Sequence, residues 1–331
     1  MRRTNVLLGV VTLSFVFLMV YECSTLISLL FEPGTRYAIR KADMPAPGSE
    51  LIDARPQLIP KIIHQTYINS TIPEQWRAGQ QACVNLHSDY EYKLWTDAAS
   101  RNFIAAEYPW FLTTFDSYPF PIQRADAIRY FVLAYFGGIY IDLDDGCNRR
   151  LDPLLSYPAW VRKTTPTGVS NDAMGSIPQH PFFLKVIESL ETYHRSWAMP
   201  YITVMYSTGP LFLSVLWKEY TSLAVPPMEQ VRLLMPDEYS KHAWSFFKIA
   251  KGSSWHGEDA QTIFWMGKHW MFLTFMGFAL AGVLGTALWW TCAKCEKIKR
   301  GKPVTTRRLL PWSWISRGSE KGNYEHVMRM A

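Results

Sequence analysis

Cysteine and charge are both scarce in this chain. Only 5 of its 331 residues are cysteine, which excludes a scaffold built mainly from disulfides. Charged residues make up 19% of the chain against 48% hydrophobic residues, which excludes a disordered or fibrous protein. Cys83 and Cys147 lie in the middle of the chain. They can pair if that region faces an oxidising compartment, and the sequence leaves this open.

The central part of the chain also lacks excess positive charge. The net charge is +6, but residues 294–331 carry ten Lys/Arg against three Asp/Glu, and Arg2 and Arg3 add two more positive charges. The middle of the chain is therefore mildly acidic. A mildly acidic surface does not bind along the phosphate backbone of a nucleic acid, so we expect no nucleic-acid partner.

Long hydrophobic runs are present at both ends of the chain. The first is uncharged from Val6 to Tyr21 and continues, after Glu22, to Phe31. We predict an uncleaved signal anchor over residues 6–31, after a short cytosolic segment 1–5. A cleaved signal peptide is the alternative, but no small-residue cleavage site follows the run.

The second run covers residues 270–293 without a charge. At about 1.5 Å per residue, a helix of this length crosses a hydrocarbon core of about 30 Å. The basic residues of 294–331 follow at once and predict a cytosolic tail. We therefore predict two transmembrane helices, cytosolic termini and a lumenal part made of a stem (32–58) and one domain (59–269). Asn69 begins an Asn-Ser-Thr sequon there and is a predicted glycosylation site.

Strand and helix patterns alternate through the lumenal part. Apolar or alternating patterns predict strands at 61–67, 90–97 and 139–144. Helical spacing predicts helices at 98–108, 123–136 and 181–197, with a further one beginning at 208. Gly137 and Gly138 separate the clearest helix from the strand that follows it. Short strand–helix–strand connections predict an α/β domain with a largely parallel sheet.

The strongest chemical signal is Asp142-Leu143-Asp144 at the end of an apolar strand. If the strand continues through this motif, both carboxylates share one face and Leu143 points into the core. Two such carboxylates suit Mg²⁺ or Mn²⁺, with a diphosphate completing the coordination. Isolated D-x-D sequences are commonly solvated loop acids, but the preceding strand and Gly-Gly stop favour a metal site.

Two further groups of residues carry weaker signals. Asp126 and Arg129 share one face of the predicted helix that leads into the D-x-D strand, so they either form a surface ion pair or line the same cleft. The segment 252–260 combines small residues with Trp255, His256 and two acids. It is either a polar juxtamembrane loop or a site where His256 binds a metal or a diphosphate oxygen.

Three segments together, 59–67, 124–144 and 252–260, resemble the D-x-D sugar transferases that include yeast Golgi mannosyltransferases. The resemblance covers roughly residues 59–265 and is closest to the fungal inositol phosphoceramide mannosyltransferases. It implies a GT-A-type, Rossmann-like glycosyltransferase fold flanked by the two membrane helices. It also implies GDP-mannose as donor, inositol phosphoceramide as acceptor, retention at the anomeric carbon and a Golgi location, with the endoplasmic reticulum as a second possible compartment.

The resemblance also implies roles for individual residues. Asp142, Asp144 and His256 would bind the divalent metal, Mn²⁺ or Mg²⁺, and Asp126 and Arg129 would hold the donor sugar. The further residues expected to bind the donor are His64, Gln65, Thr66, Tyr140, Asn171, Asp172, Ser254 and Trp255. The family suggests an accessory calcium-binding membrane subunit as a partner.

Three other functions compete with this interpretation. The first is a Golgi α-mannosyltransferase that extends protein-linked glycans. The second is a non-catalytic regulator of a transferase, which the intact pair Asp142 and Asp144 disfavours. The third is a metal hydrolase, which would need more His and carboxylate ligands than the eight scattered histidines provide.

Overall fold

The computed structural model describes residues 2–46, 55–165, 167–250, 252 and 257–300. The chain divides into two compact units, with the boundary after Phe264. The helices in the described residues are α1 (Arg2–Glu22), α2 (Ser24–Leu30), α3 (Glu74–Leu86), α4 (Asp97–Glu107), α5 (Leu112–Ser117), α6 (Pro121–Phe136), α7 (Pro181–Tyr193), α8 (Pro200–Ser207), α9 (Pro210–Thr221), α10 (Glu258–Lys268) and α11 (Trp270–Arg300). The strands are β1 (Ile62–Thr66), β2 (Glu91–Trp95), β3 (Gly138–Ile141), β4 (Asp145–Cys147), β5 (Ala159–Lys163), β6 (Val169–Ser176), β7 (Val231–Leu234) and β8 (Phe247–Ile249).

The first unit is built on a mixed six-stranded sheet in the order β2-β1-β3-β6-β5-β7. Strand β1 pairs in parallel with β2 and β3, and β5 pairs in parallel with β7. Strand β6 runs antiparallel to both β3 and β5. The α/β prediction is confirmed. The sheet is less uniformly parallel than predicted, because β6 reverses the direction at its centre.

Both faces of the sheet carry a hydrophobic core. Tyr140, Met174 and Val161 point to one face, where they pack beneath α6, α7 and α9 in the larger core. Their strand neighbours Ile141 and Trp160 point to the other face and belong to a second buried cluster. Alternate residues of each strand thus serve opposite layers, as the two-residue period of a strand requires.

Helix α6 ends where two glycines are required. Gly137 has φ 67° and Gly138 has φ 94°, both in the region that favours glycine. A Cβ at Gly138 would lie 2.7 Å from the Ile62 carbonyl oxygen. The close pairing of β1 and β3 therefore also requires glycine at this position. The predicted stop of the helix at Gly137 is therefore confirmed.

A small second sheet lies beside the main one. Strands β4 and β8 pair antiparallel, with Asp145 opposite Ile249 and Cys147 opposite Phe247. Cys147 forms a disulfide with Cys83 of α3. The pairing that the sequence left open is therefore made, and it fastens α3 to the strand that follows the D-x-D motif.

The N-terminal part differs from a simple division into the predicted anchor (6–31) and stem (32–58). The chain bends by 61° between Glu22 and Ser24, so that α1 and α2 qualify as one membrane span only if the bent pair is counted together. Leu29 of α2 is buried in the larger core. Beyond it, Ile39 donates its backbone N–H to the Leu233 carbonyl oxygen of β7 at 2.8 Å. Part of the predicted anchor and stem thus packs as an integral piece of the domain.

The described part of the second unit consists mainly of α11. Among the described residues, it is the single helix that is long and apolar enough by itself to cross a membrane, over Trp270–Thr291. Large apolar side chains such as Phe272, Phe278 and Trp289 are exposed along it. The helix matches the predicted second span, and its insertion into a membrane stays a prediction.

Candidate active site

The D-x-D motif lies in a tight turn. Strand β3 ends at Ile141, and the turn is closed by a hydrogen bond from the Asp145 N–H to the Asp142 carbonyl oxygen at 3.0 Å. The prediction that the strand continues through Asp144 is therefore wrong. Leu143 is 6% exposed and packs in a small apolar cluster with Trp76, so its predicted burial is confirmed although the strand geometry is not.

Two adjoining cavities meet at this turn and share Ile122, Arg129, Asp142 and Asp144 as lining residues. The first has a volume of about 300 Å³ and is largely apolar. Its other lining residues include the aromatic side chains Tyr67, Trp76 and Trp95. The second has a volume of about 450 Å³ and is polar, and its other lining residues include Asp126, Asp145, Arg162, Asn171 and Asp172.

Arg129 joins the carboxylates on both sides of this junction. Its Nη2 lies 2.9 Å from Asp126 Oδ1, and its Nη1 lies 3.1 Å from Asp142 Oδ1. Nη1 also donates to the Asn171 carbonyl oxygen at 2.7 Å. The guanidinium stacks over the Tyr140 ring, 4.6 Å from its centroid. Arg129 therefore locks α6, β3 and β6 together directly beneath the D-x-D turn.

Asp126 is buried and already fully hydrogen bonded. Its Oδ1 accepts from Asn171 Nδ2 at 2.9 Å and its Oδ2 accepts from Thr208 Oγ1 at 3.1 Å. Burial raises the pKa of Asp126 to about 6, against the opposing effects of Arg129 and these hydrogen bonds. In this geometry, Asp126 orients Arg129 and the Asn171 side chain orients Asp126, although both Asp126 and Asn171 line the polar cavity.

The turn concentrates negative charge. Burial raises the pKa of Asp142 to about 7, Arg129 opposes the shift, and Asp144 and Asp172 add to it. Burial likewise raises the pKa of Asp144, and it raises that of Asp145 well above its usual value, with Asp172 reinforcing the effect. A group of acids held this close together favours a bound cation.

Sequence reasoning predicted Asp172 as a donor contact but missed the ionic group to which it belongs in the polar cavity. Arg162 forms an ion pair with Asp172, and its guanidinium lies 3.9 Å from the centroid of the Tyr239 ring. The Tyr239 hydroxyl in turn donates to Asp145. An arginine inside the apolar strand sequence Trp160-Val161-Arg162 is a signal that could have revealed it, since a buried cation needs a nearby acid.

Strand β8 brings the C-terminal segment of the domain to the D-x-D turn. The Ala250 N–H donates to the Asp144 carbonyl oxygen at 2.7 Å, and Gly252 lines the polar cavity. The start of the predicted 252–260 segment therefore lies at the site. Ser254, Trp255 and His256 lie outside the described residues.

Two predicted donor-binding residues lie behind the cavity walls. His64 is fully buried, with its Nε2 2.9 Å from the Gly137 carbonyl oxygen and its Nδ1 accepting from Trp95 Nε1 at 3.1 Å. Gln65 is also fully buried and accepts from the Tyr92 hydroxyl at 2.9 Å. In this geometry both support β1 and are out of reach of a ligand.

Tyr140 and Thr66 link β1 to the motif. The Tyr140 hydroxyl donates to Asp142 Oδ1 at 2.7 Å and lies 2.9 Å from Thr66 Oγ1. Tyr140 is fully buried and acts through Asp142, whereas Thr66 lines the aromatic cavity. Asn69 follows β1 on the exposed surface, and its glycosylation stays a prediction.

Comparisons with known proteins identify glycosyltransferases as relatives of this chain. Residues 73–160 match the family model described as a glycosyltransferase sugar-binding region containing a DXD motif. The chain is 50% identical over 279 residues to mannosyl phosphorylinositol ceramide synthase SUR1 of Saccharomyces cerevisiae, covering 83% of this chain and 72% of that protein. It is 48% identical to inositol phosphoceramide mannosyltransferase 2 of Schizosaccharomyces pombe, covering 83% and 81%.

Among solved structures, the PaToxG glycosyltransferase matches with a TM-score of 0.38 and 18% identity, covering 50% of this chain and 71% of that one. The sequence relatives, by contrast, are similar over most of both chains. The protein is therefore a mannosyltransferase, and it belongs to the family of inositol phosphoceramide mannosyltransferases.

Proposed function

We propose that the protein transfers mannose from GDP-mannose to inositol phosphoceramide, with a divalent metal, Mn²⁺ or Mg²⁺, and with retention at the anomeric carbon. The observation that carries the proposal is the position of Asp142 and Asp144 at the junction of an aromatic cavity and an acidic one. A sugar nucleotide has the same division, with a nucleoside at one end and a diphosphate and sugar at the other. We assign the domain to the GT-A type of glycosyltransferase on the same basis.

The aromatic cavity suits a guanine base. Tyr67, Trp76 and Trp95 offer flat surfaces for stacking. The Asp97 carboxylate also lines this cavity, and within the described residues its side chain has no hydrogen bond or ion pair. Burial raises its pKa, with Arg124 opposing the shift. A guanine edge carries two neighbouring N–H donors, N1–H and N2–H, which match the two oxygens of such a carboxylate.

The residues at the turn fit a divalent cation. Within the described part of the chain, no group of three or more His, Cys, Asp or Glu side chains is arranged to enclose a metal. Mg²⁺ in a nucleotide site needs only one or two carboxylates, because phosphate oxygens and water supply the other ligands. Asp142 and Asp144 provide that pair. A metal bound here would offset the charge that develops on the departing diphosphate.

The other residues of the site hold this geometry. Arg129 neutralises and fixes Asp142, and Asp126 fixes Arg129, so the carboxylate needs little reorganisation when the donor arrives. Asp172 and Arg162 line the polar cavity where the mannose would lie, next to the anomeric carbon and the attacking inositol hydroxyl. Their paired charges offer both an acceptor and donors to sugar hydroxyls.

The direct test uses the purified full-length protein with lipid. GDP release and mannosylated lipid are measured with GDP-mannose, with and without inositol phosphoceramide, and with Mn²⁺, Mg²⁺ or a chelator. We expect both products to depend on the acceptor and the metal. Asp144→Asn should lower transfer by at least about 10²-fold, because it removes one anionic ligand with little change in shape. Asp116→Asn, at an exposed ion pair with Arg101, is the matched control.

Several outcomes would contradict the proposal. Full transfer in the presence of the chelator would show that the reaction needs no metal. Equal use of UDP-sugars would contradict the assignment of the aromatic cavity to guanine. Transfer to protein-linked glycans but not to the lipid would favour the competing Golgi α-mannosyltransferase. NMR of the product's anomeric proton tests retention, and copurification tests the accessory calcium-binding subunit.

We also propose that the domain lies in the lumen of the Golgi. The disulfide between Cys83 and Cys147 supports this placement, because such bonds persist in oxidising compartments and are rare in the cytosol. The two apolar segments supply the membrane anchors.

A further inference from the structure

Helix α1 has apolar side chains exposed around its whole circumference. Between Val10 and Tyr21 its large apolar side chains are 45% to 74% exposed, on every side of the helix. A helix that is apolar all round and uncovered by protein belongs in lipid. The bend at Cys23 then places α2 at the point where the chain leaves the hydrocarbon.

The inner face of α2 is fixed to the catalytic domain. Leu29 is 3% exposed in the larger core. Thr167 donates its hydroxyl to the Leu29 carbonyl oxygen. Just beyond the helix, Glu32 Oε2 lies 2.5 Å from Lys218 Nζ of α9. These contacts hold α2 as part of the domain, so that the bend leaves little freedom between anchor and enzyme.

On their outer side, α2 and its C-cap residue Phe31 carry apolar side chains that no described part of the chain covers. Ile27, Leu30 and Phe31 are 39%, 65% and 79% exposed. Their i, i+3, i+4 spacing places them on one side of the helix, and no charged residue lies between Ser24 and Leu30. An apolar face of this kind, continuous with a membrane helix, is the pattern of an interfacial helix.

We propose that Ile27, Leu30 and Phe31 form a membrane-docking face that inserts into the leaflet on the side of the catalytic domain. The occupant is the lipid bilayer itself, because α1 leads directly from it into this face. The inference rests on α1 as the membrane anchor and is independent of which sugar or acceptor the enzyme uses. Insertion of this face would fix the height and tilt of the domain above the bilayer.

The test is a collision measurement on the full-length protein in phosphatidylcholine vesicles. Cys23, Cys292 and Cys295 are replaced by serine, which leaves the disulfide, and a nitroxide label is attached to Phe31→Cys. We expect the label to collide more often with oxygen, which concentrates in lipid, than with a water-soluble nickel chelate. Gln81→Cys on the exposed surface of α3 is the control and should show the reverse.

Two results would overturn the proposal. A label at position 31 that is as accessible to nickel as the one at position 81 would place this face in water. A label shielded from both reagents, with a short distance between labels on two copies, would show that a second copy covers the face. As a functional readout, Leu30→Glu with Phe31→Glu should lower transfer to acceptor in bilayers several-fold and leave nucleotide binding unchanged, whereas Gln81→Glu should change neither.

Discussion

Gly252 lies so close to Asp144 that any side chain at position 252 would overlap the Asp144 carboxylate. The atom in the way is the end of a side chain, so Gly252→Ala should displace that carboxylate and leave the backbone in place. We expect transfer to fall by about 10–10²-fold, since small misplacements of catalytic groups have effects of that size. The unfolding free energy should change by less than about 0.5 kcal/mol.

The control for this variant is Gly267→Ala, where a Cβ meets nothing within 4 Å. Enzyme assays and denaturant unfolding of both variants separate the two effects. Unchanged transfer in Gly252→Ala would show that Asp144 is not needed in its present position.

Arg129 should matter for folding as well as for catalysis. Arg129→Met leaves the buried Asp126 carboxylate and the partly exposed Asp142 carboxylate without their cation. Breaking the buried pair with Asp126 in this way costs about 3–5 kcal/mol. Arg101→Met removes an exposed pair with Asp116 and should lower the unfolding free energy much less, because solvent screens exposed pairs. Urea unfolding of both variants gives the comparison, and equal losses would show that the network at Arg129 contributes no more than a surface pair.

The disulfide between Cys83 and Cys147 closes a loop with a sequence separation of 64 residues. Replacing both cysteines by serine should lower the unfolding free energy by about 2–4 kcal/mol. Because β4 follows the D-x-D turn, transfer should also fall. Cys23→Ser, at a cysteine outside this bond, should leave both quantities unchanged. A double variant as stable and active as the parent would mean that the bond has no structural role.

The buried His64 should make the unfolding free energy depend on pH. Burial lowers its pKa to about 4, against the opposing hydrogen bond to Gly137. Trp95 donates to Nδ1, so a second ring proton would face another donor. In the unfolded chain His64 has a pKa near 6.5, so the unfolded state takes up the proton first as the pH falls. Stability is therefore lost between about pH 6.5 and 4.

Inside that window, the unfolding free energy should fall by up to about 1.4 kcal/mol for each pH unit. His87 and His180 also have lowered pKa values, caused mainly by burial, so the parent alone cannot isolate His64. The measurement is the difference between the parent and His64→Gln in denaturant unfolding across this range. Parallel pH profiles for the two proteins would contradict the assignment.

Topology can be checked in intact vesicles. If residues 32–269 are lumenal, Asn69 should carry a glycan, and Asn69→Gln should remove the corresponding mass. A C-terminal tag should be digested by added protease, since the basic residues of 294–331 predict a cytosolic tail. A tag protected until detergent is added would show that the second span is misread.

Local signals predicted much of this site from the sequence. Gly137 and Gly138 marked the junction of α6 and β3, and the acids that follow lie where the chain must turn. The pairing of Asp126 with Arg129 followed from helical spacing alone. The bond from Arg129 to Asp142, which makes that pair part of the site, depends on how α6 packs on β3 and is invisible in sequence spacing.

The missed features are those set by packing between distant segments. Arg162 and Tyr239 meet Asp172 and Asp145 only after β5, β6 and β7 have assembled. Strand β6 is antiparallel because of long-range pairing, which a short strand–helix–strand pattern does not report. The family resemblance placed His64 among the donor contacts, whereas in the structure it is a buried link between neighbouring strands.

The attachment of the N-terminal segment to β7 limits how a water-soluble form of this enzyme can be made. A chain that begins at residue 59, the predicted start of the domain, would leave a hole where Leu29 packs and would uncover the edge of β7 at Leu233. Open strand edges and empty core positions favour aggregation. A secreted form that resists aggregation would therefore retain the N-terminal segment from Ser24 onward and replace Ile27, Leu30 and Phe31 with polar residues.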